Sequence, residues 1–135
     1  MAVMSSTRLL MQASALLMAA LGLPATFLPQ EILRSAAAPD SGLAVVAVQV
    51  TGALYVGFAL LNWMARGNLI GGIYSRPVAV GNLAHFLVAA LALGKAVLAG
   101  NHASALMAAP NAYAVFPALF ARVVFRPPPT VTAHP

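Results

Sequence analysis

Cysteine is absent from the chain, and that absence removes disulfides, thiolate metal sites, CxxC redox chemistry and thiol nucleophiles together. Acids are almost as scarce. Glu31 and Asp40 are the only acidic side chains, and both fall in one connecting segment outside the apolar runs. Proton-coupled transporters and pumps depend on ionisable groups inside the membrane, acids above all, so a carboxylate-driven transport cycle is disfavoured. Charge of either sign is thin: Lys, Arg, Asp and Glu make up 7% of the residues, against 61% that are hydrophobic. Such a chain cannot cover a globule with polar groups, which excludes a soluble domain. The net charge of +5 does not point to nucleic acid, because the basic residues stand singly between apolar runs and never form a stripe. The glycine-rich turn GNLIGG, residues 67–72, has no Lys-Ser or Lys-Thr after it, lacks GxGxxG spacing and follows no strand. It reads as a reversal of direction at the membrane surface and not as a phosphate cradle.

What the chain does have is long apolar runs. A hydrocarbon layer of roughly 30 Å takes about 20 apolar residues per helix, and 135 residues hold four such spans with short connections. The runs predict spans at about residues 9–28, 43–64, 77–99 and 105–121. The expected fold is an all-α integral membrane protein, an antiparallel four-helix bundle in a single domain over residues 1–126. Residues 127–135 are proline-rich and are expected to be extended, close to polyproline II. The first run follows one basic residue as a signal peptide would, but LPA at 23–25 is a poor small-x-small cleavage site, so the run is read as a retained span. Pro24 and Pro29 are expected to kink or end that helix, with QEILRS forming one interfacial turn. Pro77 suits the first turn of the third run, whereas Pro110 and Pro117 make the last run the least regular. Met4, Met11 and Met18 recur every seven residues and share a face, which is read as adaptable packing in preference to copper ligation.

Lys and Arg set the orientation. Arg8, Arg66, Arg76, Arg122 and Arg126 fall on the side of both termini, while Arg34 and Lys95 lie on the other side with both acids. That bias places both termini in the cytoplasm of a bacterial inner membrane. Trp63 and Tyr74 stand near the same boundary, where amphipathic rings are favoured, and Lys95 can snorkel to the opposite headgroups. Arg66, Arg76, Arg122 and Arg126 are the candidate contacts for anionic lipids or for an acidic partner surface.

Counting 1.5 Å per residue from the cytoplasmic ends puts His85, Tyr55 and Asn111 roughly 12 to 15 Å deep and Ser14 near 9 Å. Gln49, Gly52, Tyr55, Ala59 and Asn62 share one face by steps of three and four, as do Asn82, His85 and Ala89. A face that is polar or small throughout points at other helices in lipid. The expectation is an interhelical polar layer of Ser14, Tyr55, Asn82, His85 and Asn111, with Tyr55 and His85 facing the interior. A hydrogen bond from His85 to Tyr55, Asn82 or Asn111 is the leading account of the histidine. A neutral imidazole is also a competent axial ligand to haem or a chlorin, and His85 with Tyr55 could bind a quinone. Haem held between two histidines needs a second one in the membrane, and His102 and His134 fall outside the runs.

The PQEIL element at 29–33, GALYVGFALLNW at 52–63 and the following Arg66 resemble small four-helix bacterial membrane proteins of the DoxX-like type, over residues 9–99. The resemblance implies an antiparallel four-helix bundle and, for some relatives, association with quinone or sulfur redox systems. No functional motif of that group matches a position here, so no catalytic residue is carried over. Gly52, Gly57, Gly81 and Gly94 would suit packing against more helices than the chain's own. The expected role is a non-catalytic accessory or structural subunit of a larger bioenergetic or photosynthetic membrane complex, with membrane lipids and other subunits as partners. No catalytic or metal-ligating residue and no cofactor are predicted for that role. The alternative is a DoxX-like redox-associated protein binding a quinone or haem near His85.

Overall fold

The computed structural model describes residues 2–68, 75–100 and 104–125, with side chains from residue 6 onward and, in the last helix, from residue 113 onward. Five helices follow one another: α1 (Ala2–Phe27), α2 (Pro29–Ser35), α3 (Gly42–Ala65), α4 (Arg76–Leu98) and α5 (Ser104–Phe125). No strand occurs among the described residues. Three stretches, Ser6–Phe27, Gly42–Ala65 and Arg76–Leu98, are long and apolar enough to cross a membrane, and Tyr113–Phe125 forms a shorter apolar stretch in α5. Outward-facing side chains are apolar as well, with Leu43 82%, Met64 78% and Leu98 90% exposed. The protein therefore turns hydrophobic surface outward, as a bilayer requires and water does not.

The prolines follow the sequence expectation in part: α1 ends just before Pro29 and Pro77 stands in the first turn of α4, whereas Pro24 does not end α1. Pro24 lies inside α1, which continues to Phe27. The chain turns at Leu28 (φ −128°, ψ 46°), and Pro29 opens α2 in its first turn, where the missing donor breaks no helical bond. QEILRS is thus part of a short helix, with Glu31 in its first turn and Arg34 in its last, each on the favourable end of the helix dipole. Pro110 and Pro117 do not interrupt α5, which is continuous through both positions. Ser41 caps α3 by accepting from Ala44 N at 3.2 Å.

Contacts fix the register of the bundle. Ser14 meets Asn62, and the backbones cross at Gly22 and Gly52, so α1 and α3 are antiparallel. Asn62 meets Asn82, and Tyr55 meets His85, which makes α4 antiparallel to α3. Only residues 99–103 separate α4 from α5; so short a segment cannot run back along a helix of 23 residues, and α5 must return beside α4. Arg8, Arg66, Arg76 and Arg122 consequently gather at one end of the bundle. Glu31, Arg34, Asp40 and Lys95 gather at the other. Between the ends lies a core of Met11, Met18, Ala59, Ala65, Ala79, Phe86, Tyr113 and Phe120.

Candidate functional site

Two buried groups of polar side chains lie where α4 meets the α1–α3 pair. In the first, Asn62 and Asn82 are fully buried and exchange hydrogen bonds, each Nδ2 donating to the other's Oδ1 at 2.7 Å. Asn62 Nδ2 also donates to Ser14 Oγ at 3.0 Å, and Ser14 Oγ donates onward to Met11 O at 3.0 Å. Asn82 Nδ2 reaches back to Val78 O at 2.9 Å. Both donors of each amide and both carbonyl oxygens are therefore engaged. One cluster ties α1, α3 and α4 together, where an unpaired amide in an apolar setting would be costly.

The second group lies one helical turn further from the arginine end. His85 is surrounded by rings: Tyr55 edge-on at 5.3 Å, Phe58 at 5.0 Å, Phe86 at 5.3 Å and Tyr113 at 6.1 Å between centroids. Phe86 continues the array by stacking on Phe116 at 4.6 Å and Phe120 at 5.8 Å. His85 Nε2 and Tyr113 Oη are buried and have no hydrogen-bond partner among the described residues. Tyr55 is close enough to interact with the Tyr113 hydroxyl, without a hydrogen bond of normal geometry between them.

The expected polar layer is thus two levels. Ser14 and Asn82 belong to the amide cluster, and Tyr55 and His85 to the ring box; the side chain of Asn111 lies outside the described residues. No hydrogen bond joins His85 to Tyr55 or Asn82: the Tyr55 and His85 rings stand perpendicular to each other, and Asn82 is committed to Asn62 and Val78. Asn62 and Tyr113 were not among the sequence-predicted site residues. Asn62 ends the polar face that starts at Gln49, and Tyr113, Phe116 and Phe120 follow one another by steps of three and four, so both signals were present.

Nε2, the atom through which the imidazole would bind a metal or accept a hydrogen bond, is covered by protein atoms, so a ligand reaches it only if a neighbouring side chain moves. A quinone carbonyl suits the two unpaired groups chemically.

At the arginine end, Arg66 forms the C-cap of α3, a favourable place for a cation. Its Cζ lies 4.2 Å over the Trp63 ring and its Nη1 donates to Trp63 O. Arg8, Arg76 and Arg122 are exposed, while Arg126, Tyr74, His102 and His134 lie outside the described residues. The one ion pair among the described residues joins Arg34 to Asp40 at 3.9 Å, exposed and at the opposite end. Comparisons of the chain with protein-family models, curated proteins and solved structures find no match. Function is therefore read from the side chains themselves.

Proposed function

We propose that the chain is a multi-pass protein of the bacterial cytoplasmic membrane, a four-helix bundle with both termini inside, serving as a non-catalytic accessory or structural subunit of a larger membrane complex. The observation that carries this reading is the use of its buried amides. Ser14, Asn62 and Asn82 spend their hydrogen bonds on one another and on the backbone, holding helix to helix. The outer faces support the same reading: at Gly57 on α3 and at Gly81 and Gly94 on α4, an added Cβ would meet nothing within 4 Å. Of these Gly57 is exposed, and a glycine turned outward in lipid leaves room for the close approach of another helix. A bioenergetic or photosynthetic complex is the proposed setting. Purification in mild detergent tests the reading: the chain is expected to migrate with other subunits at fixed stoichiometry, and recovery as a lone chain from its native membrane would overturn it.

One observation favours a second reading. The unpaired Nε2 of His85 and hydroxyl of Tyr113 are open hydrogen-bonding capacity inside an apolar bundle, as a DoxX-like redox-associated protein binding a quinone near His85 and Tyr55 would need. Haem held through His85 is the other form of this reading, with Nε2 as the ligand atom.

A further inference from the structure

Along the seam of α1 and α3, on the outside of the bundle, runs an apolar groove of about 320 Å³. Ala15, Ala19 and Leu23 form one wall, and Val56, Leu60 and Trp63 the other. Small alanines make the depression, and Trp63 closes it at the arginine end. There the Arg66 guanidinium lies folded over the Trp63 ring, held by the ring face and by the Trp63 carbonyl. From the other helix comes Arg8, exposed and on the same α1 face as Gln12, Ala15, Ala19 and Leu23 by steps of three and four. Nothing acidic competes for these cations, because Glu31 and Asp40, the chain's only acidic side chains, stand at the opposite end.

We infer that this groove holds an acyl chain of an anionic phospholipid whose phosphate is bound by Arg66 and Arg8. An acidic peptide would satisfy the arginines and leave the groove empty, and a neutral lipid would fill the groove and leave the arginines without a counter-charge. A phosphate ester joined to a hydrocarbon tail matches both. Arg66 is the anchor, since its stacking on Trp63 fixes the guanidinium before the lipid arrives and less side-chain freedom is lost on binding. The inward leaflet, which carries the anionic lipids, is where the proposed orientation places this end.

This lipid site presupposes that the chain spans a membrane. Alkaline carbonate washing of native membranes checks that first: release of the chain would overturn the membrane reading and the site with it. With the chain retained, native mass spectrometry of the purified protein exchanged into equimolar phosphatidylglycerol and phosphatidylcholine reads the site itself. Phosphatidylglycerol is expected to be retained over phosphatidylcholine. Arg66→Gln and Arg8→Gln should each lower that retention about fivefold, whereas Arg122→Gln, on α5 and away from the groove, should leave it unchanged. Ala19→Leu, which fills the groove, should lower retention with both arginines in place. Circular dichroism of each variant checks that it is folded, and Arg66→Lys, which keeps the charge and loses the flat stacked fork, should fall between wild type and Arg66→Gln. Equal retention of the two lipids would overturn the site. So would an Arg122→Gln loss as large as that of Arg66→Gln, or displacement of the lipid by excess inorganic phosphate, which would leave the tail no role.

Discussion

Where α1 crosses α3 the two backbones nearly touch, whereas α3 and α4 are joined by side chains that reach across a wider gap. A Cβ added at Gly52 would stand 2.6 Å from both the amide nitrogen and the hydroxyl of Thr26, and one added at Gly22 would stand 2.9 Å from Tyr55 Cβ. Thr26 already turns its hydroxyl back to Gly22 O at 2.8 Å, so it cannot swing clear without breaking that bond. The α3–α4 seam has the Asn62–Asn82 exchange and the rings around His85 in place of a backbone crossing. The difference teaches how a chain of small apolar residues fixes one geometry in lipid. Its first pair is set by the absence of side chains, which tolerates no addition; its second is set by polar and aromatic groups that can adjust.

The largest effect is therefore expected at the glycine crossing. Gly52→Ala forces two backbones apart and should cost about 2–3 kcal/mol, read as a lower midpoint in reversible unfolding in mixed micelles. Gly57→Ala, five residues along the same helix and facing open space, should stay within about 0.5 kcal/mol of wild type. Equal effects at the two glycines would break the contrast between the seams.

A smaller effect is expected at the amide cluster. Asn62→Leu leaves the Asn82 amide without its partner and Asn82→Leu does the reverse, so each should cost about 1–2 kcal/mol. Replacing both removes the unpaired group along with the bond, and the double variant should lose less than the sum of the singles. An additive pair would mean that the two amides stabilise their helices separately.

How far the sequence reveals this arrangement can be seen at particular residues. The apolar runs match α3 and α4 to within one residue at each end and α1 at its C-terminal end, while α1 starts seven residues before its run, because span length leaves a direct trace in hydropathy and a polar helix start does not. Steps of three and four along α3 bring Gly52, Tyr55, Ala59 and Asn62 inward, and the same spacing puts Asn82 and His85 on the inner side of α4. Gln49 on the same stripe is exposed, beyond the level at which Gly52 meets Thr26 near the end of α1. Depth is less legible than face. The count from assumed helix ends puts Ser14 near 9 Å and Tyr55 and His85 roughly 12 to 15 Å deep, and the shared face alone joins Asn82 to them in one expected layer. The true partner of Asn82 is Asn62, only a turn from the end of α3, because α4 begins with Arg76 and its register against α3 depends on a loop whose length in space no periodicity encodes. Glycine roles divide in the same way: the stripe holds Gly52 and not Gly57, but only the crossing of α1 shows that Gly52 has no room for a Cβ.

The smallest effect is expected at the ring box, and it decides between the two functional readings. Phe in place of His85 keeps a ring among Tyr55, Phe58, Phe86 and Tyr113 and removes the unpaired Nε2; Tyr113→Phe likewise removes an unpaired hydroxyl. If this box only packs helices, relief of a buried unpaired group should leave each variant as stable as wild type or better by up to about 1 kcal/mol. Association with other subunits should then be unchanged. If the box binds a quinone, the purified wild type should carry quinone in extractable, stoichiometric amount, and His85→Phe should lose it while remaining folded. Quinone bound and lost in this way would move the function from the amide cluster to the ring box, and the α3–α4 seam would then be adjustable for a chemical reason: a side chain that must move cannot be fixed by a glycine crossing.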